Sequence, residues 1–411
     1  MRWIPEEPWV RNQHVMVATV FVVFTGFAFV LPFLPLYVRE LGVQDDKAVA
    51  LWAGVLVGVA PLLAGLMAPV WGRLADRYGQ KRMVLRALVS YVILLVLSAA
   101  VTRVEELLVL RMGVGFFGGI GPLGLAMATS LAPRDQTGRA VGQIQAAQIL
   151  AAAVGPFAGG FLADTIGIRS TFLVTAVLCA SALWLVARYY QEGSAGVPTP
   201  AAPPAGTASL LRQRGVLPLL VVLFLVNFVG RSFTPILPLH LQLAVPAGSL
   251  GLATGVLISV YSVGAAISAT VLGKATRKFP PRALLAASLA AGAATVLPMA
   301  LITSFPTFVV LAVLLGLASG GALTLCYTIG GLMVAADQRA TAFGFFSGAA
   351  LFGGAVSPTV AGLLAHWELR GIYYVDAALF ALLTAGLLVA GAARAASARG
   401  QPSRATPSPP P

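Results

Sequence analysis

Two arginines lie inside long apolar runs: Arg111 in LVLRMGVGFFGG and Arg231 in LVNFVGRSFTPILPL. A guanidinium is permanently charged and carries five donors, so each arginine can hold an anion, a carboxylate or a main-chain carbonyl. Placing such a charge in hydrocarbon costs about 2.5–3.5 kcal/mol even on a lenient scale, so it needs a partner or a wet cavity. Arg111 can also snorkel toward the nearer membrane surface. Three groups could take up and release a proton among apolar neighbours: Asp376, His240, and Glu40 beside Arg39. Arg370 is the nearest cation to Asp376 along the chain. The other candidates for a binding cavity are uncharged: Asn227, Gln145, Gln148, Tyr261 and Tyr327. A mostly apolar site with these few polar groups and two arginines suits neutral or anionic amphiphilic molecules.

Other chemistry lacks support in the sequence. The histidines, His14, His240 and His366, are widely separated, and Cys179 and Cys326 both sit in apolar runs. Neither a metal centre nor a disulfide is expected, and the cysteines read as small core residues. No Ser-His-Asp set, carboxylate pair or phosphate-binding loop is apparent, so neither an enzyme nor a cofactor is expected.

The elements that must position these residues follow from composition. Of 411 residues, 58% are hydrophobic and 10% charged, whereas a soluble chain averages about a quarter charged. Apolar stretches of about 20 residues, each able to cross a bilayer, recur along the chain. The expected fold is an all-α membrane protein of twelve transmembrane helices near 14–38, 48–72, 82–101, 106–131, 140–164, 169–190, 215–243, 249–273, 282–303, 307–334, 340–364 and 371–393. No cleavable signal peptide is evident in the first 13 residues, so the first stretch is expected to remain as a span. Residues 14–190 form one six-helix half and 215–393 the other. Residues 191–214, rich in Pro, Ala and Gly, read as a flexible linker, and 394–411 as a disordered tail.

Charge sets the orientation. If both termini lie inside, 20 of the 27 Lys and Arg fall on the inner side and five on the outer, with Arg111 and Arg231 inside the spans. The positive-inside rule thus favours N-in, C-in, and the net charge of +13 reads as topology, not as nucleic-acid binding.

The halves repeat one another. Pro32-Phe-Leu-Pro35-Leu36 matches Pro235-Ile-Leu-Pro238-Leu239, and Asp135-Gln136 with Gly142 matches Asp337-Gln338 with Gly344. Pro156-x-x-Gly159-Gly160 matches Pro358-x-x-Ala361-Gly362. Two six-helix repeats of like orientation are the arrangement of transporters that rock one half against the other around a site near mid-membrane.

Two motifs are more specific. Between the second and third stretches stands Gly72-Arg-Leu-Ala-Asp76-Arg77-Tyr-Gly79-Gln-Lys81-Arg82, and in the fifth Gly142-x8-Ala151-x3-Gly155-Pro156-x2-Gly159-Gly160. With the Arg111 segment, these resemble the twelve-helix drug:proton antiporters of the major facilitator superfamily. The resemblance implies export of small amphiphilic compounds by alternating access in exchange for protons. It also implies a conformational latch at Asp76, a hinge and seal in the fifth helix, and a bacterial inner-membrane location. In the second half Arg277 stands where Asp76 would be, so any latch is asymmetric. No carboxylate lies mid-helix in the first, fourth, seventh or tenth stretch. That absence keeps open a facilitator or symporter for a sugar or organic anion; a non-transporting membrane scaffold is the alternative of another class. The expected partners are substrate, protons and lipid, with a monomer as the functional unit.

Overall fold

The computed structural model describes residues 7–121, 123, 124, 127, 133, 136–191, 212, 213, 215–242, 244–334 and 339–399. Among the described residues every regular element is helical. In lipid a helix satisfies its own main chain, which an open sheet cannot do. Among the described residues ten helical stretches are long and apolar enough to cross a membrane, and Val216–Ser232 is a shorter apolar helix.

The first half runs α1 (Pro8–Val30), a 3-10 turn (Leu31–Phe33), α2 (Leu34–Glu40), α3 (Asp46–Tyr78), α4 (Gln80–Ala100), α5 (Val104–Phe116), α6 (Thr137–Ile166) and α7 (Ile168–Tyr189). The second half runs α8 (Val216–Ser232), α9 (Leu237–Leu241), a 3-10 turn (Ala247–Ser249) and α10 (Leu250–Ala275). It continues through α11 (Pro281–Met299), α12 (Phe305–Ser319), α13 (Ala322–Met333), α14 (Arg339–Ala365) and α15 (Gly371–Arg399).

The breaks have local causes. Pro32 and Pro35 remove main-chain donors at the α1–α2 joint, and Pro235 and Pro238 do the same between α8 and α9. Single glycines turn α3 into α4 and α6 into α7: Gly79 at φ 94° and Gly167 at φ 82°, angles that other L-residues rarely adopt. The segment expected as a loop from Gly72 to Arg82 is therefore almost wholly helical, interrupted only at Gly79. Several boundaries move outward for the same reason: a helix continues until a glycine or proline stops it. α1 begins at Pro8 and α15 continues to Arg399. Most of the expected linker and tail, and the repeat residues Asp135, Asp337 and Gln338, lie outside the described residues.

The two halves are built alike. In the first, α1 packs on α6 and α7, α4 on α7, and α3 on α5. In the second, α8 packs on α14, α11 on α15, and α10 on α12. The halves meet along two seams, α3 with α14 and α6 with α10. The sequence repeat relates these seams to each other.

Candidate functional site

Both seams are lined by small residues. A side chain at Gly54 of α3 would strike the Pro358 carbonyl of α14, and one at Gly58 would come 2.7 Å from the Ala355 carbonyl. Thr359 Oγ1 donates to the Gly54 carbonyl at 3.3 Å. On the other seam, Gly160 of α6 abuts the main chain of Gly251 on α10, and the Pro156 carbonyl abuts Gly255. The Phe157 N–H donates to Ser259 Oγ at 3.1 Å. Backbones this close gain dispersion and weak polar contacts that larger side chains would forbid, and such contacts hold helices together in lipid.

These cross-half contacts cluster at the end of the bundle where α2 meets α3. At the opposite end, positions Gly65 and Gly72 on α3, Gly142 on α6, and Gly344 and Gly348 on α14 face open space. Among the described residues, the close glycine contacts between the halves thus lie toward one end of the seams, and the glycines toward the other end meet nothing across them.

The fifth-stretch motif divides its residues between two neighbours. Gly155 and Gly159 face α1, where a side chain would meet Ala28 and the main chain of Phe29. Gly160 and Pro156 face α10 across the seam. Gly142, a full four turns earlier, touches neither.

The residues of the second–third segment fall at the turn between α3 and α4. Gly79 donates its N–H to the Ala75 carbonyl and ends α3. Asp76 lies in the last turn of α3, but its side chain is outside the described residues. Arg77 is exposed, with its guanidinium 5.4 Å from the Tyr78 ring. Lys81 Nζ donates to the carbonyls of Ala187 (3.1 Å) and Tyr190 (2.6 Å), which lie at the end of α7. A cation at a helix C-terminus meets the negative end of the dipole. Arg82 is exposed.

Arg111 does not face open space. It is 2% exposed, and Nε donates to the Leu56 carbonyl of α3 at 3.1 Å. Pro61 lacks an N–H, which leaves the Val57 carbonyl without its helical donor; the Arg111 bond goes to the neighbouring carbonyl, that of Leu56, as an added contact. Gly115, one turn further on, lets α5 approach Ala60 of α3. The guanidinium thus finds a main-chain partner and not the interface.

Arg231 behaves differently. It is exposed near the end of α8, and its side chain and that of Asn227 lie beside Gly354 of α14. Tyr261 of α10 lies within electrostatic reach of both Arg231 and Asp376 and packs edge-on against Phe233. Gln145 is exposed and Gln148 half-buried on α6, with Gln148 near Gly121. Tyr327 of α13 stacks on Phe343 of α14, its hydroxyl 3.5 Å from Ser347. The structure therefore gathers Asn227, Arg231 and Tyr261 in the second half, and leaves Gln145 and Gln148 in the first.

The titratable candidates separate as well. Glu40 is exposed at the end of α2, beside the Arg39–Asp46 ion pair. Asp376 is 1% exposed on α15 and is not paired with Arg370. It contacts Ser232 Oγ of α8 through Oδ2, while Oδ1 has no partner. His240 is 1% exposed on α9. Its Nδ1 lies 3.2 Å from the Tyr373 hydroxyl, and Nε2 lies near Ile302 outside hydrogen-bonding geometry. Tyr373 is one turn before Asp376 on α15, so two buried polar pairs, Ser232 with Asp376 and His240 with Tyr373, lie one helical turn apart in an apolar half. The sequence offered Ser232 no distinction. It follows Arg231 on a helix, and only the packing of α8 on α15 brings it to Asp376.

The sequence profile of the Major Facilitator Superfamily matches residues 16–254 and 219–410. The chain belongs to this superfamily. A protein of Dickeya zeae named multidrug resistance protein MdtG is 33% identical over 324 residues, covering 78% of this chain and 79% of that protein. The MdtG of Escherichia fergusonii is 32% identical over 380 residues, covering 90% and 92%. Among solved structures, a bacterial homologue of the human lysosomal transporter Spinster superposes with a TM-score of 0.78 at 16% identity, covering 94% of this chain and 98% of that one. The nucleoside transporter NupG gives 0.75 at 14% identity. These structures share the superfamily fold of this chain, and Arg231, Asp376 and the two seams are features placed on that fold.

Proposed function

We propose that this superfamily member exports small amphiphilic compounds by alternating access, in exchange for protons, across the inner membrane of a bacterium. The carrying observation is the pair of glycine seams, whose close contacts among the described residues gather toward one end. Two rigid halves joined by such seams can rock, and a site between them is then exposed to one side at a time. The relatives named multidrug resistance proteins support the drug-like substrate class. The arginine and lysine distribution supports an N-in, C-in chain, which makes that end the outer one. The exposed Arg231 beside Asn227 supports neutral or anionic substrates over cations.

Asp376 is the proposed proton carrier. Ser232 Oγ also lies 2.9 Å from the Val229 carbonyl. A hydroxyl has one proton; when it goes to Val229, the contact with Asp376 is satisfied only if the carboxyl donates. The geometry therefore suits a neutral carboxylic acid at Asp376. The groups around it are few. Arg231, Ser232 and His240 come from α8 and α9, Tyr261 from α10, and Tyr373 and Arg370 from α15 and the turn before it. No ionisable residue falls between 283 and 299 on α11 or between 340 and 365 on α14. Arg231, one residue from Ser232, is the cation that opening of the half could bring to an ionised Asp376.

The test is substrate-driven proton movement in proteoliposomes holding the purified chain, with neutral, anionic and cationic amphiphiles as probes. Opposed substrate and proton fluxes, lost in Asp376→Asn, support the reading. Substrate flux without proton flux makes the protein a facilitator, the reading favoured by the lack of a mid-helix carboxylate in the first, fourth, seventh and tenth stretches.

A further inference from the structure

Asp164 stands near the end of α6, in the first half. Its two carboxylate oxygens accept the N–H groups of Gly251 (2.9 Å) and Leu252 (2.7 Å), at the start of α10 in the second half. The first N–H groups of a helix have no partner within the helix, and a carboxylate there also meets the positive end of the helix dipole. α10 has no cap of its own. Its N-cap residue, Ser249, makes no capping bond and donates its hydroxyl instead to the Pro246 carbonyl at 3.1 Å.

The related seam is built differently. α3 begins at the same end of the bundle and is capped locally, with Asp45 accepting the Ala48 N–H at 2.8 Å. By the repeat offset of 202, the residue that corresponds to Asp164 is His366, just past the end of α14, which cannot serve as an anionic cap. One helix thus carries its cap with it when the halves move, and the other borrows its cap from the opposite half.

We infer that Asp164 is a positioning residue for transport: it clasps the halves together at the α2–α3 end and biases the protein toward the state seen here. Opening that end must pull Asp164 from Gly251 and Leu252, leaving two N–H groups to water. Gly251 is part of the device, since a side chain there would run into the carboxylate. The inference rests on the alternating-access reading above, but not on the substrate or the coupling ion.

The experiment places spin labels at Lys47→Cys and Trp367→Cys, both exposed and on the other seam, and measures their distance in the full-length protein without substrate. The native cysteines are buried. Removing a carboxylate cap costs on the order of 1 kcal/mol, so Asp164→Ala is expected to raise the long-distance (open) population ratio about five- to tenfold. Asp164→Asn, whose amide oxygen accepts one N–H, should lie between. Adding Ser249→Asp to Asp164→Ala supplies a local cap, which travels with α10 into both states. The inference requires that this second change restore thermal stability without restoring the short distance. An unchanged distance in Asp164→Ala, or a short distance restored by Ser249→Asp, overturns it. Substrate flux in the same preparations reports separately on the alternating-access reading.

Discussion

Ser232 and Asp376 meet across α8 and α15, while Arg231, the preceding residue, is exposed on another face of the same helical turn. Adjacent residues on a helix point about 100° apart, so one turn of α8 serves both a buried carboxyl and an open face. Movement of α8 against α15 can therefore alter the environment of Asp376 without any new element. Asp376→Asn keeps size and polarity and removes the titration. It is expected to abolish proton movement coupled to substrate while substrate exchange at equal pH on both sides persists. Ser232→Ala removes one hydrogen bond, worth about 1–3 kcal/mol at a buried partner, and should reduce coupled transport by roughly tenfold while leaving it measurable. Proton and substrate flux in proteoliposomes check both.

The orientation has its own test. With 20 basic residues assigned to one side and five to the other, a cysteine at Trp367 should react with an impermeant maleimide added outside intact cells. A cysteine at Gln191, beside Arg11 and Asn12, should react only after the membrane is permeabilised. The reverse pattern refutes N-in, C-in.

Much of the architecture is legible in composition and spacing because lipid forces long apolar helices and punctuates them at proline and glycine. The repeat offset, read from Pro32, Pro156 and their partners, relates each helix of one half to a helix of the other, while which helices pack together comes from the structure. The site is less legible. Asp376 stands out as an acid in an apolar run, yet its partner Ser232 is one of many serines, and Arg370, nearer in sequence, is not its partner. Arg111 stands out too, but sequence spacing does not tell a cavity from the Leu56 carbonyl on a neighbouring helix. Asp164 is an acid near a helix end with nothing in its spacing to single it out; its use depends on which helix start lies across the seam, a tertiary fact.

Arg111 gives a prediction in which two terms oppose. Arg111→Met loses a charge-assisted hydrogen bond to Leu56, worth about 1.5–3 kcal/mol. It also removes the cost of holding a charge in hydrocarbon, about 2.5–3.5 kcal/mol. The net change in unfolding free energy should be within about 1–2 kcal/mol, since an apolar replacement of buried charge is often near neutral. Transport should nevertheless fall, because the brace between α5 and the Leu56 carbonyl of α3 is gone. A large loss of thermal stability in detergent would show instead that the guanidinium holds the fold.

The glycines at the two ends of α6 make the sharpest contrast. Gly160 meets the main chain of Gly251 in the state seen here, so Gly160→Leu has nowhere to place its side chain without parting the halves at that end of the seam. Overpacking of a close-packed contact costs about 1–3 kcal/mol, enough to shift a two-state ratio roughly five- to a hundredfold toward the opposite state. Gly142 faces open space, so Gly142→Leu is expected to leave stability and this conformation intact. If the Gly142 end must close during transport, the same leucine stands in the way of that second state and transport falls at unchanged thermal stability. The two variants should therefore move the Lys47–Trp367 label distance differently: longer for Gly160→Leu, and held short even with substrate for Gly142→Leu. A Gly142→Leu protein with full transport would mean that this part of α6 never joins a closed seam, and the rocking mechanism would have to pivot elsewhere.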